Sequence, residues 1–153
     1  MIVVRSLGDA DYEAVHALNI AIEREYVGDA VWYARSAAEQ DDSLVTNPEE
    51  FAACVETGFS LVAVEGDTVV GFLLAFREPL PRTRLYVWQV SVAATHRRSG
   101  AALSMYQELI ERAKAAGIAD IRANIDLDND ASMRLHERAG FTPRQRMQAT
   151  LRL

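Results

Sequence analysis

The apolar positions of this chain change period several times along its length. Ile2, Val3 and Val4 form a short apolar run that stops at Arg5, which reads as a first strand. Asp9 then opens a segment with Tyr12, Val15, Leu18 and Ile22 at helical spacing and Glu13 in its first turn. From Glu25 to Asn47 the pattern blurs around Gly28, Trp32, Tyr33 and the pair Asp41-Asp42. This stretch reads as a mobile loop with one helical turn. Asn47-Pro48-Glu49-Glu50 is a helix start, since proline suits the first helical position, and that helix is expected to end near Gly58. Residues 59–65 and 68–77 are rich in Val, Leu and Phe and are joined by Gly66-Asp67, so they predict a hairpin. Pro79 and Pro81 interrupt the chain before a further strand at 84–92. Residues 100–116 are helical, with Leu103, Tyr106, Ile110 and Ala113 on one face and Gly117 as the stop. Residues 121–127 predict a strand, Asp128-Asn129-Asp130 caps a helix to about Arg138, and Phe141 onward reads as a terminal strand. The order β-α-α-β-β-β-α-β-α-β predicts mixed α/β layers in one domain spanning 1–153.

Composition narrows the class. Half of the 153 residues are hydrophobic and a quarter are charged, as in a globular chain. No apolar run approaches the ~18 residues of a membrane span. The start turns polar too early for a signal peptide, so a cytoplasmic location is expected. The single cysteine, Cys54, excludes an internal disulfide and reads as helix core. No Cys/His cluster suggests a metal, and none is expected. The net charge of −6 is divided unevenly, with −10 on residues 1–77 and +4 on residues 78–153. Without a dense basic stretch, this balance disfavours nucleic acid.

The most informative segment is Val90-Ser91-Val92-Ala93-Ala94-Thr95-His96-Arg97-Arg98-Ser99-Gly100-Ala101-Ala102, between a strand and a long helix. A strand feeding a helix through a short loop converges several backbone N–H groups, and the helix N-terminus adds partial positive charge. Gly100 permits close approach, Ala102 keeps the first turn small, and Arg97 and Arg98 add permanent charge. Several converging donors suit a diphosphate better than a lone carboxylate. The segment lacks the Gly-Lys-Ser/Thr of a P-loop and the three glycines of a dinucleotide fingerprint.

Arg97-x-x-Gly100-x-Ala102 resembles the Gln/Arg-x-x-Gly-x-Gly/Ala signature of the GNAT acyltransferases, which transfer acyl groups from acyl-coenzyme A to amines. Asn129-x-x-Ser132-x-x-Leu135-His136-x-x-x-Gly140-Phe141 is similar to a second segment of that family. The resemblance covers essentially the whole chain. It implies a central mixed, mostly antiparallel, splayed β-sheet flanked by helices, with acetyl-CoA as cofactor. Backbone around Val90 and Val92 would hold the pantetheine arm like an added strand. N–H groups from Arg97 through Arg98, Ser99, Gly100, Ala101 and Ala102 would cradle the pyrophosphate. Asn129 and Ser132 would approach from the opposite side, although a helix cap explains Asn129 equally well and Ser132 also fits an ordinary first-turn position.

His136 stands where many members carry the Tyr that protonates the leaving thiolate. A neutral imidazole still bears one N–H and can serve as that acid, with Ser132 one turn earlier to orient it. The other reading is a packed histidine, with solvent supplying the proton. A similar Leu-His-Glu-Arg stretch occurs in phosphinothricin-type acetyltransferases, which hints at small amine-bearing acceptors. No carboxylate or His lies on the strand before the loop. Gln89 or Tyr86 would hold a relay water there, while Glu23, Glu25 or Glu78 would reach in from loops. Positioning alone can supply ~7 kcal/mol or more. Glu25, Tyr26, Trp32 and Tyr33 lie in the family's acceptor loop and would suit a cationic amine; a solvated loop with one packed aromatic is the plainer account. The expected reaction is direct acetyl transfer to a primary amine of a small molecule, with a homodimer as a further expectation from the family's exposed terminal strands. Two alternatives stay open: a protein N-terminal or lysine acetyltransferase, and a non-catalytic acyl-CoA-binding domain.

Overall fold

The computed structural model describes residues 1–153. Strand β1 (Ile2–Ser6) pairs antiparallel with β2 (Leu61–Glu65), which pairs antiparallel with β3 (Thr68–Arg77). Next comes β4 (Arg84–Val92), antiparallel to β3, and last β5 (Asp120–Ala123), which runs parallel to β4. The predicted hairpin turns at Gly66, whose φ of +59° suits glycine.

Four helices join β1 to β2: α1 (Tyr12–Val27), α2 (Asp29–Ala34), α3 (Ala37–Asp42) and α4 (Pro48–Glu56). Helix α5 (Ala101–Ala115) makes the crossover between the parallel strands, and α6 (Asp130–Arg138) follows β5. Alternation along the strands feeds two cores. Leu61, Ala63, Leu73, Ala75, Leu85 and Val87 face α5, where Met105, Tyr106 and Leu109 are buried. Val62, Phe72 and Leu74 face Val15 of α1 and Phe51 and Cys54 of α4. No helix is long and apolar enough to cross a membrane.

A bulge in β4 divides its two ends. Leu74 pairs with Gln89 but Ala75 with Val87, so Trp88 faces no residue of β3. One extra residue inverts the facing of everything beyond it. Leu85 and Val87 pack toward α5, and past the bulge Val90 and Val92 do so instead. Gln89 and Ser91 therefore share the α1 face, where Gln89 Nε2 donates to Ser91 Oγ at 2.9 Å.

Three expectations are corrected. Residues 25–47 are mostly helical: α1 continues to Val27, stops at Gly28 (φ +85°), and α2 and α3 follow. A capping box holds α3, with Ser36 N donating to Glu39 Oε2 at 2.8 Å and Glu39 N to Ser36 Oγ at 3.3 Å. Strand β5 ends at Ala123 rather than 127, because its partner β4 has already diverged. The stretch after Phe141 is not a strand: residues 142–153 are exposed and belong to no helix or sheet.

Candidate active site

The β4–β5 ladder ends at Val87–Ala123, while β4 continues to Val92. From Trp88 onward one edge of β4 has no strand beside it, and its backbone polar groups need another partner. The same opening leads to the N-terminus of α5. There Arg98 adopts φ +63° and Gly100 φ +91°. A left-handed conformation at arginine costs on the order of 1 kcal/mol and is retained where it shapes a ligand-facing loop. Ser104 N donates to the Gly100 carbonyl at 2.9 Å and Ala101 N to Ser99 Oγ at 3.3 Å. The N–H groups of Gly100, Ala102 and Leu103 find no acceptor in the chain. Three unclaimed donors at a helix start form an anion cradle.

The two arginines of this loop differ. Arg97 is clamped by Glu25 of α1 through bonds of 2.6 and 2.5 Å, which lower the Glu25 pKa and raise that of Arg97. Arg98 is exposed and touches no carboxylate. His96, beside the cradle, is tied to Glu65 at 3.1 Å.

A cavity of about 270 Å³ opens where β4 and β5 part. Its walls come from Ile22, Glu23 and Tyr26 of α1, from β4 between Val87 and Ser91, and from Asn124 and Asp126 after β5. Tyr106, Asn129, Ser132 and His136 close the side toward α5 and α6. A second hollow of about 380 Å³ adjoins it and shares Tyr26, Asp126 and Asn129.

His136 is only 2% exposed. Its Nδ1 lies 2.8 Å from the Ser132 carbonyl and 3.3 Å from Ser132 Oγ, so the network assigns the ring proton to Nδ1. Its Nε2 then accepts from the Tyr106 hydroxyl at 2.6 Å. Phe141 packs edge-on against both rings. Burial lowers the His136 pKa and raises that of Tyr106, so both groups stay uncharged near neutrality. The neutral imidazole has no free N–H for the cavity, and the Tyr106 O–H is already donated to Nε2.

The fold gathers Val90, Gln89, Tyr26, Asn129, Ser132 and His136 around one cavity, and sets Val92 and residues 97–102 at the adjoining loop. Asn129, which lines the cavity, also caps α6, its Oδ1 accepting from Ser132 N at 2.9 Å. Other residues expected at the acceptor do not line the cavity. Trp32 is 5% exposed and packed into the fold, Tyr33 is 65% exposed with Arg24 over its ring, and Glu25 is occupied by Arg97. Glu78 lies just past the end of β3, where it accepts from Arg84 at 3.5 Å. Glu23 does reach the cavity, from a helix rather than a loop, and its Oε1 accepts from Arg35 at 3.1 Å. Tyr106, Asn124 and Asp126 escaped the sequence reading. The polar alternation Asn124-Ile125-Asp126 was the signal for the last two, and Tyr106 passed for core. No three His, Cys, Asp or Glu side chains gather as metal ligands.

The model of the Acetyltransferase (GNAT) family matches residues 17–141. The chain belongs to the GNAT family. Among curated relatives, the L-2,4-diaminobutyric acid acetyltransferase of Shouchella clausii is 40% identical over 75 residues, covering 49% of this chain and 42% of that one. The phosphinothricin N-acetyltransferase of Streptomyces viridochromogenes is 34% identical over 93 residues, covering 58% and 50%. This GNAT chain thus spans half or less of the length of those relatives. Among solved structures, the diaminobutyrate acetyltransferase EctA from Paenibacillus lautus, in complex with L-2,4-diaminobutyric acid and coenzyme A, superposes with a TM-score of 0.64 at 26% identity. That match covers 90% of the GNAT chain and 73% of the other. The splayed, mostly antiparallel sheet expected from the motifs is the sheet observed.

Proposed function

We propose that this GNAT domain is an acetyl-CoA-dependent N-acetyltransferase acting on a primary amine of a small molecule. The carrying observation is the β4 edge left open beyond Val87, leading directly to the unclaimed amides of Gly100, Ala102 and Leu103. Those groups fit coenzyme A: an extended arm with amides along β4 near Val90 and Val92, and a pyrophosphate at the cradle with Arg98 beside it. When bound, the cofactor supplies an acyl group activated as a thioester.

The chain's residues then position and polarise. The Asn129 amide nitrogen has no partner within the chain and faces the opening. His136 Nε2 accepts from the Tyr106 hydroxyl, so this couple has no free donor for the cavity and serves to fix the wall against which the thioester is positioned. On this reading His136 is a packed histidine, and solvent supplies the proton to the leaving thiolate. Glu23 is the cavity's carboxylate on the α1 side and can take a proton from an incoming ammonium directly or through one water. A cavity walled by α1 on one side and residues 124–129 on the other favours a small acceptor over a polypeptide, and the two curated relatives, acetyltransferases of diaminobutyric acid and phosphinothricin, support that reading. The same reading includes a homodimer formed through residues 142–153.

The test is coenzyme A binding by calorimetry together with thiol release in the presence of amines. Gly100→Glu should abolish binding, because it puts a side chain and a negative charge into the cradle at a backbone angle that L side chains resist. Undiminished affinity would remove the cradle from the site. Binding without thiol release from any amine would leave a cofactor-binding domain in place of an enzyme.

A further inference from the structure

Resting on the acetyltransferase reading, we infer that the acceptor is an amine carrying at least two ammonium groups and no carboxylate. The cavity and its adjoining hollow are lined by Glu23, Asp126, Asp128 and Asp130, and no Lys or Arg lines either one. The carboxylates come from two walls, since Glu23 belongs to α1 and Asp126 follows β5. Glu23 is itself paired with Arg35 at 3.1 Å, and Arg24 with Asp29 at 2.9 Å, so the uncompensated charge of the walls is that of Asp126, Asp128 and Asp130.

This charge balance separates acceptor classes. An attacking amine must be uncharged, so a monoamine loses its positive charge on entering reaction. A polyamine keeps a second ammonium, which the carboxylates stabilise while its far nitrogen reacts near Tyr106. An amino acid would place its own carboxylate among these side chains, where like charges repel. Tyr26, shared by both hollows and 74% exposed, offers a ring face to the retained cation. Two contiguous hollows also suit an extended molecule. In the net reaction the amine nitrogen forms a C–N bond as the thioester C–S bond breaks, and one proton passes from nitrogen to sulfur. The products are an amide and a thiol.

The experiment compares 1,3-diaminopropane and spermidine with L-2,4-diaminobutyrate, which is 1,3-diaminopropane bearing a carboxylate. Thiol release gives kcat/KM, and calorimetry with coenzyme A present gives binding. The amines without a carboxylate should be favoured at least tenfold in kcat/KM. Asp126→Asn should raise their KM roughly tenfold and leave coenzyme A affinity unchanged, as expected for loss of one charge partner near the rim. Equal or better use of diaminobutyrate overturns this proposal while the acetyltransferase reading stands. Unchanged KM in Asp126→Asn together with Glu23→Gln likewise overturns it. Absence of both thiol release and coenzyme A binding overturns the acetyltransferase reading, and this inference with it.

Discussion

A buried imidazole whose Nδ1–H is fixed on the carbonyl of its own helix can accept at Nε2 but not donate there. His136 is in that state, and Tyr106 is its donor at 2.6 Å. Burial keeps each group neutral, so their joint strength lies in orientation rather than in proton transfer. His136→Phe and Tyr106→Phe should each lower kcat roughly tenfold through lost positioning, with little change in coenzyme A affinity. Since the two act as one unit, the double variant should cost hardly more than either single one. Additive losses in steady-state kinetics would show two independent roles. The depressed His136 pKa also has a sign. The unfolded chain takes up a proton near pH 6.5 while the folded chain does not. Stability is therefore full above that pH and is lost as acid drives protonation through the lowered folded value. Thermal unfolding between pH 7.5 and 5.5 should fall more steeply for the parent protein than for His136→Phe, and equal slopes would remove His136 from the linkage.

At the scale of elements, β3 approaches β4 and α5 so closely that a side chain at Gly71 would force its neighbours to shift. A Cβ there would lie 3.0 Å from the Ser91 carbonyl oxygen and 3.3 Å from Met105 Cε. Ser91 pairs with Phe72 of β3 in the stretch of β4 whose other edge is open, so crowding Gly71 disturbs the core and the cofactor slot together. Gly71→Ala should destabilise by about 1–3 kcal/mol, as overpacking does, and weaken coenzyme A binding as well. A denaturant midpoint equal to the parent's would show that β4 yields freely. Gly71 carried no signal in the sequence, since only the register reveals what it faces. The strands, the long α5 and the cradle loop were legible because periodicity and a glycine-punctuated strand-to-helix turn are local features. The bulge at Trp88 and the parting of β4 from β5 were not, because both arise from pairing between distant segments. The Ser36-x-x-Glu39 box was readable, and its omission left α3 inside a predicted loop.

Across the whole molecule, the acidic and basic halves of the chain meet at the site. Residues 1–77 supply the α1 wall and residues 78–153 the cradle, and Glu25–Arg97 joins them. The C-terminal tail stands outside this union. Met147, Ala149, Leu151 and Leu153 alternate with Gln148, Thr150 and Arg152, a strand pattern with nothing to bury against in one copy. The outer edge of β5 is likewise unpaired, and an exposed edge is a template for another strand. Two copies satisfy both demands if the tail of each joins the other. Sedimentation should give a dimer for the full chain and a monomer after removal of residues 143–153. The truncated protein should keep its coenzyme A affinity, because no cradle or cavity residue lies beyond His136. A truncated chain that still sediments as a dimer would place the contact elsewhere. One that loses the cofactor would show that the tail closes over the sheet of its own copy, in line with β5.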